Sequence, residues 1–183
     1  PNVDTFLVLN HFEIPPRLDH YHRHCVTVPD LDEDKHIIAI EPVIAKATGK
    51  KYVHHFALYG FYVSVDCGAF LDTNGQVQHA FGPSLFGWGP GGTPMILPEE
   101  AGMPAGASGL RSVMLETHFS NPNLDAGQYD CSGDRIYTTT ALRQYTAGTF
   151  SAGDFYLSLF GQPVVGENEL VGRHRFVCEC ADE

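Results

Sequence analysis

Helical periodicity is almost absent from this 183-residue chain. Its 19 glycines and 12 prolines interrupt the sequence every few residues. Between them apolar and polar side chains alternate with period two, the pattern of half-buried strands. The spacing predicts strands at Thr5–Leu9, His24–Val28, His36–Ala45, Val53–Tyr59, Arg111–Ser120, Asp134–Thr140, Phe155–Phe160 and His174–Cys178. Pro42 inside the third of these predicts a strand edge or a bulge, because proline has no N–H to give a ladder. The stretch Phe81–Gly109, dense in Gly and Pro around the single tryptophan Trp88, reads as irregular. Many short strands joined by turn-rich loops predict an all-β fold, an antiparallel β-sandwich of jelly-roll type. No linker-like stretch divides it, so residues 1–183 are expected to form a single domain.

Charge narrows the partners. Eleven basic against 22 acidic side chains leave a net charge of −11, which argues against nucleic acid and anionic membranes, since both require basic patches. No apolar run reaches the roughly 18 residues of a membrane span. The chain begins at Pro1 and shows no basic-then-apolar leader, so a processed mature protein or a piece of a longer one is expected. Five cysteines, Cys25, Cys67, Cys131, Cys178 and Cys180, form no C-x-x-C pair, which removes a zinc ribbon or thioredoxin motif. Scattered through a Gly- and Pro-rich chain they read as disulfide halves, and so as a secreted protein or one of the secretory-pathway lumen. The competing reading is buried free thiols. Cys178 and Cys180, two apart on a strand, point the same way and are poorly placed to bridge each other. One of them, with Cys178 taken first, is expected to pair with Cys131, leaving the other stranded.

Ten histidines against four lysines make metal chemistry the reading to test. On the strand Arg111–Ser120, Glu116 and His118 fall on one face and Val113, Leu115, Thr117 and Phe119 on the other. Elsewhere His54 and His55 are adjacent. Neighbours on an ideal strand point to opposite faces, so they share one ion only across a bulge, or through Nδ1 of one ring and Nε2 of the other. If His118 lies on the next strand, three imidazoles converge, a set that suits copper, zinc or nickel and not calcium or magnesium. A second candidate, the His-x-His pair His22 and His24 in the run His20–His24, is weaker, because a solvated edge explains it better. Other clusters carry less. Ser108, Ser112 and Ser132 have no nucleophile elbow, Gly89–Gly92 precedes no helix and no Lys, and Asp30–Asp34 lacks the Gly and closing Glu of a calcium loop.

Several segments together resemble the first domain of the copper type II, ascorbate-dependent monooxygenases. They are His36-Ile37-Ile38-Ala39-Ile40-Glu41-Pro42, Val53-His54-His55-Phe56, Leu97-Pro98-Glu99-Glu100-Ala101-Gly102 and Leu115-Glu116-Thr117-His118-Phe119-Ser120-Asn121-Pro122. Asp130-Cys131-Ser132-Gly133-Asp134-Arg135-Ile136-Tyr137 and Leu142-Arg143-Gln144-Tyr145-Thr146-Ala147-Gly148 follow in the same order. The resemblance is strongest over residues 12–155 and is closer to the dopamine β-hydroxylase branch than to the peptide-amidating one. It implies two jelly-roll domains in the parent protein, each with one copper. It also implies that His54, His55 and His118 hold one copper per chain, the electron-transfer ion that takes electrons from ascorbate or another small reductant. Glu116 would lie just behind the ligands or face the cleft, and Cys25 and Cys67 match a disulfide of the family's first domain. Phe56 stands where the family usually has Met, Phe61 where dopamine β-hydroxylase has Cys, and Cys131 replaces a Ser.

After Thr149 there is no His-x-His and no Met, so the oxygen-binding copper site is expected to be absent and the chain incompetent to hydroxylate C–H bonds alone. The alternative is a stand-alone secreted copper protein, a carrier or one-centre oxidase that recruits His22 and His24 for a second ion. A three-histidine zinc lyase or hydrolase is the third reading.

Overall fold

The computed structural model describes residues 2–66 and 82–149, which lie within one compact unit, Pro1–Thr149. Twelve strands and one helical turn follow one another among these residues. They are β1 (Val3–Leu9), β2 (Phe12–Ile14), β3 (Asp19–Thr27), β4 (Asp34–Val43), α1 (Gly49–Tyr52) and β5 (Val53–Phe61). Then come β6 (Ser84–Trp88), β7 (Met95–Ile96), β8 (Ala101–Gly106), β9 (Ser112–Ser120), β10 (Gln128–Asp130), β11 (Gly133–Thr139) and β12 (Tyr145–Thr146).

One large sheet runs β1-β11-β4-β8-β12, with β7 also on β4, a second runs β3-β9-β5-β6, and β10 and β2 form a separate antiparallel pair. All pairings in them are antiparallel except β12 with β8. A single apolar cluster joins Val8, Ile37, Ile40, Met103 and Ile136 of the first sheet to Phe56, Leu58, Val113, Leu115 and Phe119 of the second. Burying each such side chain fully is worth about 1.5–3 kcal/mol, so this layer supplies the main drive for sheet-on-sheet packing. The expected all-β architecture of antiparallel sheets is therefore present.

Details differ from the sequence reading in instructive places. The Phe81–Gly109 stretch is irregular only in part, because within it lie β6, β7 and β8. Leu85 and Trp88 of β6 are buried, and the Trp88 ring stacks on Phe56 with centroids 4.9 Å apart. Gly87 and Pro104 disguised these strands, whose pairing comes from β5 and β4 and not from their own propensity. Pro42 has β11 beside it but no ladder partner on its other side, so it sits at a local edge, as the missing N–H requires. Phe155–Phe160 and His174–Cys178 lie outside the described residues.

The quoted segments without histidine ligands hold the scaffold. Asp130 is fully buried and accepts from Asn10 Nδ2 (2.7 Å), Thr48 Oγ1 (2.6 Å), Ser132 N (2.9 Å) and Ser132 Oγ (3.0 Å). Gly133 lies where a Cβ would meet Val8 O at 2.0 Å, so only glycine lets β1 pass this closely. Arg143 donates through Nη1 to the carbonyls of Leu97, Pro98 and Ala101. It thereby ties the Leu97–Gly102 segment to the Leu142–Gly148 one.

Candidate metal centre

Strand β9 is the middle of the site. Val113, Leu115, Thr117 and Phe119 turn inward and are fully buried, while Glu116 and His118 turn outward and keep some exposure. Strand β5 pairs with β9 as Val53↔Phe119 and then His55↔His118, so two residues advance on β5 while one advances on β9. His54 is the extra residue of this β-bulge. The bulge is what brings both rings of the His-His pair to the outer face.

The three rings stand in a near-equilateral arrangement. Their centroids are 5.2 Å (His54–His55), 4.9 Å (His54–His118) and 4.9 Å (His55–His118) apart, and each pair of planes is inclined by 64–68°. One ligating nitrogen from each lies within 4.8 Å of the others. The Nδ1 atoms of His54 and His55 are 2.9 Å apart, and Nδ1 of His118 is buried without a hydrogen-bond partner. An orphaned buried ring nitrogen is costly unless something binds it, and a soft or borderline cation among three imidazoles fits that need. Burial holds the His55 pKa below its ordinary value, helped by the nearby His118 and His54 rings and opposed by Glu116. A depressed pKa keeps the ring neutral, the form that binds metal.

Strand β3 adds two groups that the sequence reading did not single out. Asp19 Oδ1 accepts from Nε2 of His118 at 3.0 Å, which puts the proton on Nε2 and frees Nδ1, the carboxylate–histidine arrangement that orients metal-binding imidazoles. Tyr21 is paired with His118 across the ladder and stacks on its ring, with centroids 4.3 Å apart and planes within 2°. No sequence signal marks either residue, because their relevance depends on the β3–β9 register. Glu116 lies on the same outer face, two residues before His118. Its carboxylate forms an ion pair with Arg23, its cross-strand partner.

The remaining candidates are placed differently. His20, His22 and His24 pair with Phe119, Thr117 and Leu115 and so share the inner face of the sheet. Phe12 stacks on His22 (3.9 Å) and His20 (5.2 Å). Burial pushes the His22 pKa down to about 4 and lowers those of His20 and His24. Among the described residues no group of three ligating side chains includes His22 or His24. Strand β3 is an edge strand of its sheet, and on it His20, His22 and His24 are partly buried. Cys25 is disulfide-bonded, and Cys67 lies outside the described residues. Cys131 carries a free thiol with Sγ 3.5 Å from His11 Nδ1, and the bridge expected from it leads to Cys178, which with Cys180 also lies outside the described residues.

Residues 6–126 match the family described as the N-terminal domain of copper type II ascorbate-dependent monooxygenases. The chain belongs to this family. Among similar curated proteins, DBH-like monooxygenase protein 1 of Mus musculus is 30% identical over 186 residues, covering 97% of this chain and 30% of that protein. The Gallus gallus protein of the same name is 31% identical over 165 residues, covering 85% and 26%. Dopamine beta-hydroxylase of Equus caballus is 30% identical over 159 residues, covering 82% and 26%. The chain thus spans less than a third of the length of these relatives. As a domain of this monooxygenase family it is copper-binding by descent, and its three-imidazole cluster falls inside the matched residues. Among the described residues no helix is long and apolar enough to cross a membrane.

Proposed function

We propose that this chain is the electron-transfer domain of a two-copper monooxygenase, holding one copper ion on the Nδ1 atoms of His54, His55 and His118. The observation that carries the reading is the convergence of three imidazoles with one Nδ1 buried and unpartnered. Copper bound there would supply one-electron chemistry between Cu(I) and Cu(II), which an all-imidazole, low-coordinate set tolerates. The protein's part is to orient. Asp19 fixes the His118 tautomer, Tyr21 fixes its ring plane, and the bulge at His54 presents the third nitrogen. His54 is exposed, so the cluster opens outward, where ascorbate or another small reductant of the secretory compartment would deliver its electron.

The recipient is a second copper domain of the parent protein, where oxygen and a C–H substrate are handled. This chain alone is therefore expected to be reduced and reoxidised without hydroxylating substrate. We read residues 1–183 as one such domain, stapled by a Cys25–Cys67 bridge. Copper analysis tests the assignment directly. One copper per chain, lost on His118→Ala replacement with the fold retained, is the expected result. Unchanged copper content in that variant would overturn it. Two tightly held coppers, one lost on replacing His22 or His24, would instead favour a stand-alone carrier.

A further inference from the structure

Three cross-strand rows lie side by side on the outer face of the four-stranded sheet. The first is His55–His118–Tyr21, the second Ala57–Glu116–Arg23, and the third Tyr59–Met114–Cys25. Glu116 is thus the nearest carboxylate along β9 to the three imidazoles, two residues from His118 and on the same face. Carboxylate oxygen binds divalent ions alongside imidazole nitrogen, and a Glu side chain is long and flexible enough to lean toward the next row.

Glu116 is not among the ligating groups that converge there. It is held within its own row by an ion pair with Arg23, and both side chains are only 17% exposed. On the opposite flank Ala57 offers no polar group. The Arg23 Nε is buried and makes no hydrogen bond, so the guanidinium leaves one donor unpaired while it grips this carboxylate. A partly desolvated charge pair of this kind is held firmly, because separating it would leave both charges poorly hydrated.

We propose that Arg23 is a positioning residue that withholds Glu116 from the metal and keeps the centre all-imidazole. This rests on the copper reading of His54, His55 and His118. The consequence is chemical. Three neutral ligands leave the ion its full charge and serve Cu(I) and Cu(II) alike, whereas an added carboxylate, a hard anionic ligand, would favour Cu(II). Arg23 therefore protects the reducibility of the site without touching the ion.

The test loads the 183-residue chain with copper and compares wild type, Arg23→Met, Glu116→Gln and the Arg23→Met/Glu116→Gln double variant. Freed of its partner, Glu116 in the Arg23→Met chain should tighten Cu(II) binding by about tenfold or more, the scale of changes just outside a ligand set. Cu(I) affinity should be little altered. The Cu(II) EPR spectrum should change in Arg23→Met and return to the wild-type form in the double variant. Glu116→Gln alone should keep the wild-type spectrum. If Arg23→Met does not fold, Arg23→Gln carries the same expectation. A wild-type spectrum of nitrogen ligation that persists unchanged in the Arg23 variant overturns this proposal alone. A wild-type chain that shows no imidazole-bound Cu(II) overturns the copper reading, and this proposal with it.

Discussion

The two faces of the β3-β9-β5-β6 sheet carry histidines from different strands, β5 and β9 outside and β3 inside, and give them opposite fates. On the outer face His54, His55 and His118 point ligand nitrogens at one another, with Asp19 and Tyr21 steadying one ring. On the inner face His20 and His22 lie flat against Phe12, which also stacks on Phe119 at 5.9 Å. There imidazole serves as a flat, neutral packing group. Strand parity assigns the faces, and one extra residue at His54 transfers a histidine to the side where parity alone would not put it. Residue type therefore does not decide between ligand and filler in this sheet. Register does.

The largest expected effect separates the faces outright. His118→Ala should abolish stoichiometric copper after dialysis, while His22→Ala should leave copper content at the wild-type level. Metal analysis of the two purified variants checks this, and equal losses would erase the distinction.

The inner face should respond in stability instead. Phe12→Ala removes the ring that packs both His20 and His22, and a loss of about 2 kcal/mol is expected, below the usual cost of a fully buried ring because Phe12 is only partly buried. Urea unfolding of the metal-free protein measures it, and copper stoichiometry should not move.

Acid–base behaviour sharpens the contrast further. Asp134 shares its inward parity with Ile136 on β11. It is fully buried with neither carboxylate oxygen hydrogen-bonded, and burial pushes its pKa up to about 8. The native state thus keeps a proton that the unfolded chain releases near pH 4, so stability falls as pH rises from about 4 to about 8. His22 works in the other direction. Its folded pKa of about 4 lies below 6.5, so its contribution is whole above pH 6.5 and is lost as pH drops toward 4. His20, His24 and His36, also lowered by burial, add to the acid side. Stability of the metal-free protein should peak near pH 6.5 and then decline by about 2 kcal/mol toward pH 8. Asp134→Asn should flatten that decline. Unfolding curves at three pH values decide it, and an undiminished slope in the variant would show that another group is responsible.

The smallest effect concerns the partner of the His118 ring. Asp19 is 64% exposed, so Asp19→Asn should leave the unfolding midpoint unchanged while weakening copper binding roughly tenfold. Competition with a chelator of known affinity reads this directly.

Much of the arrangement was legible from the chain. Alternation on Arg111–Ser120 put Glu116 and His118 together and buried Val113, Leu115 and Phe119. The adjacency of His54 and His55 called for a bulge, or for different ring nitrogens, if they were to act together. Three things were not legible. His22 and His24 could be assigned a common face, but not whether that face looked inward, because β3 is half-buried on both sides. Asp19, Tyr21 and Arg23 gained meaning only when β3 settled beside β9 in one register. The strands hidden in Phe81–Gly109 have weak propensity of their own and are ordered by β5 and β4.

Sequence alone determined the period-two pattern, the all-β class, the imidazole supply and the family, since these follow from residue types and their local spacing. Tertiary structure decided which imidazoles meet, what steadies them and where Glu116 goes. Those outcomes depend on side chains as far apart in the chain as Asp19 and His118, and only the pairing of distant strands sets their distance.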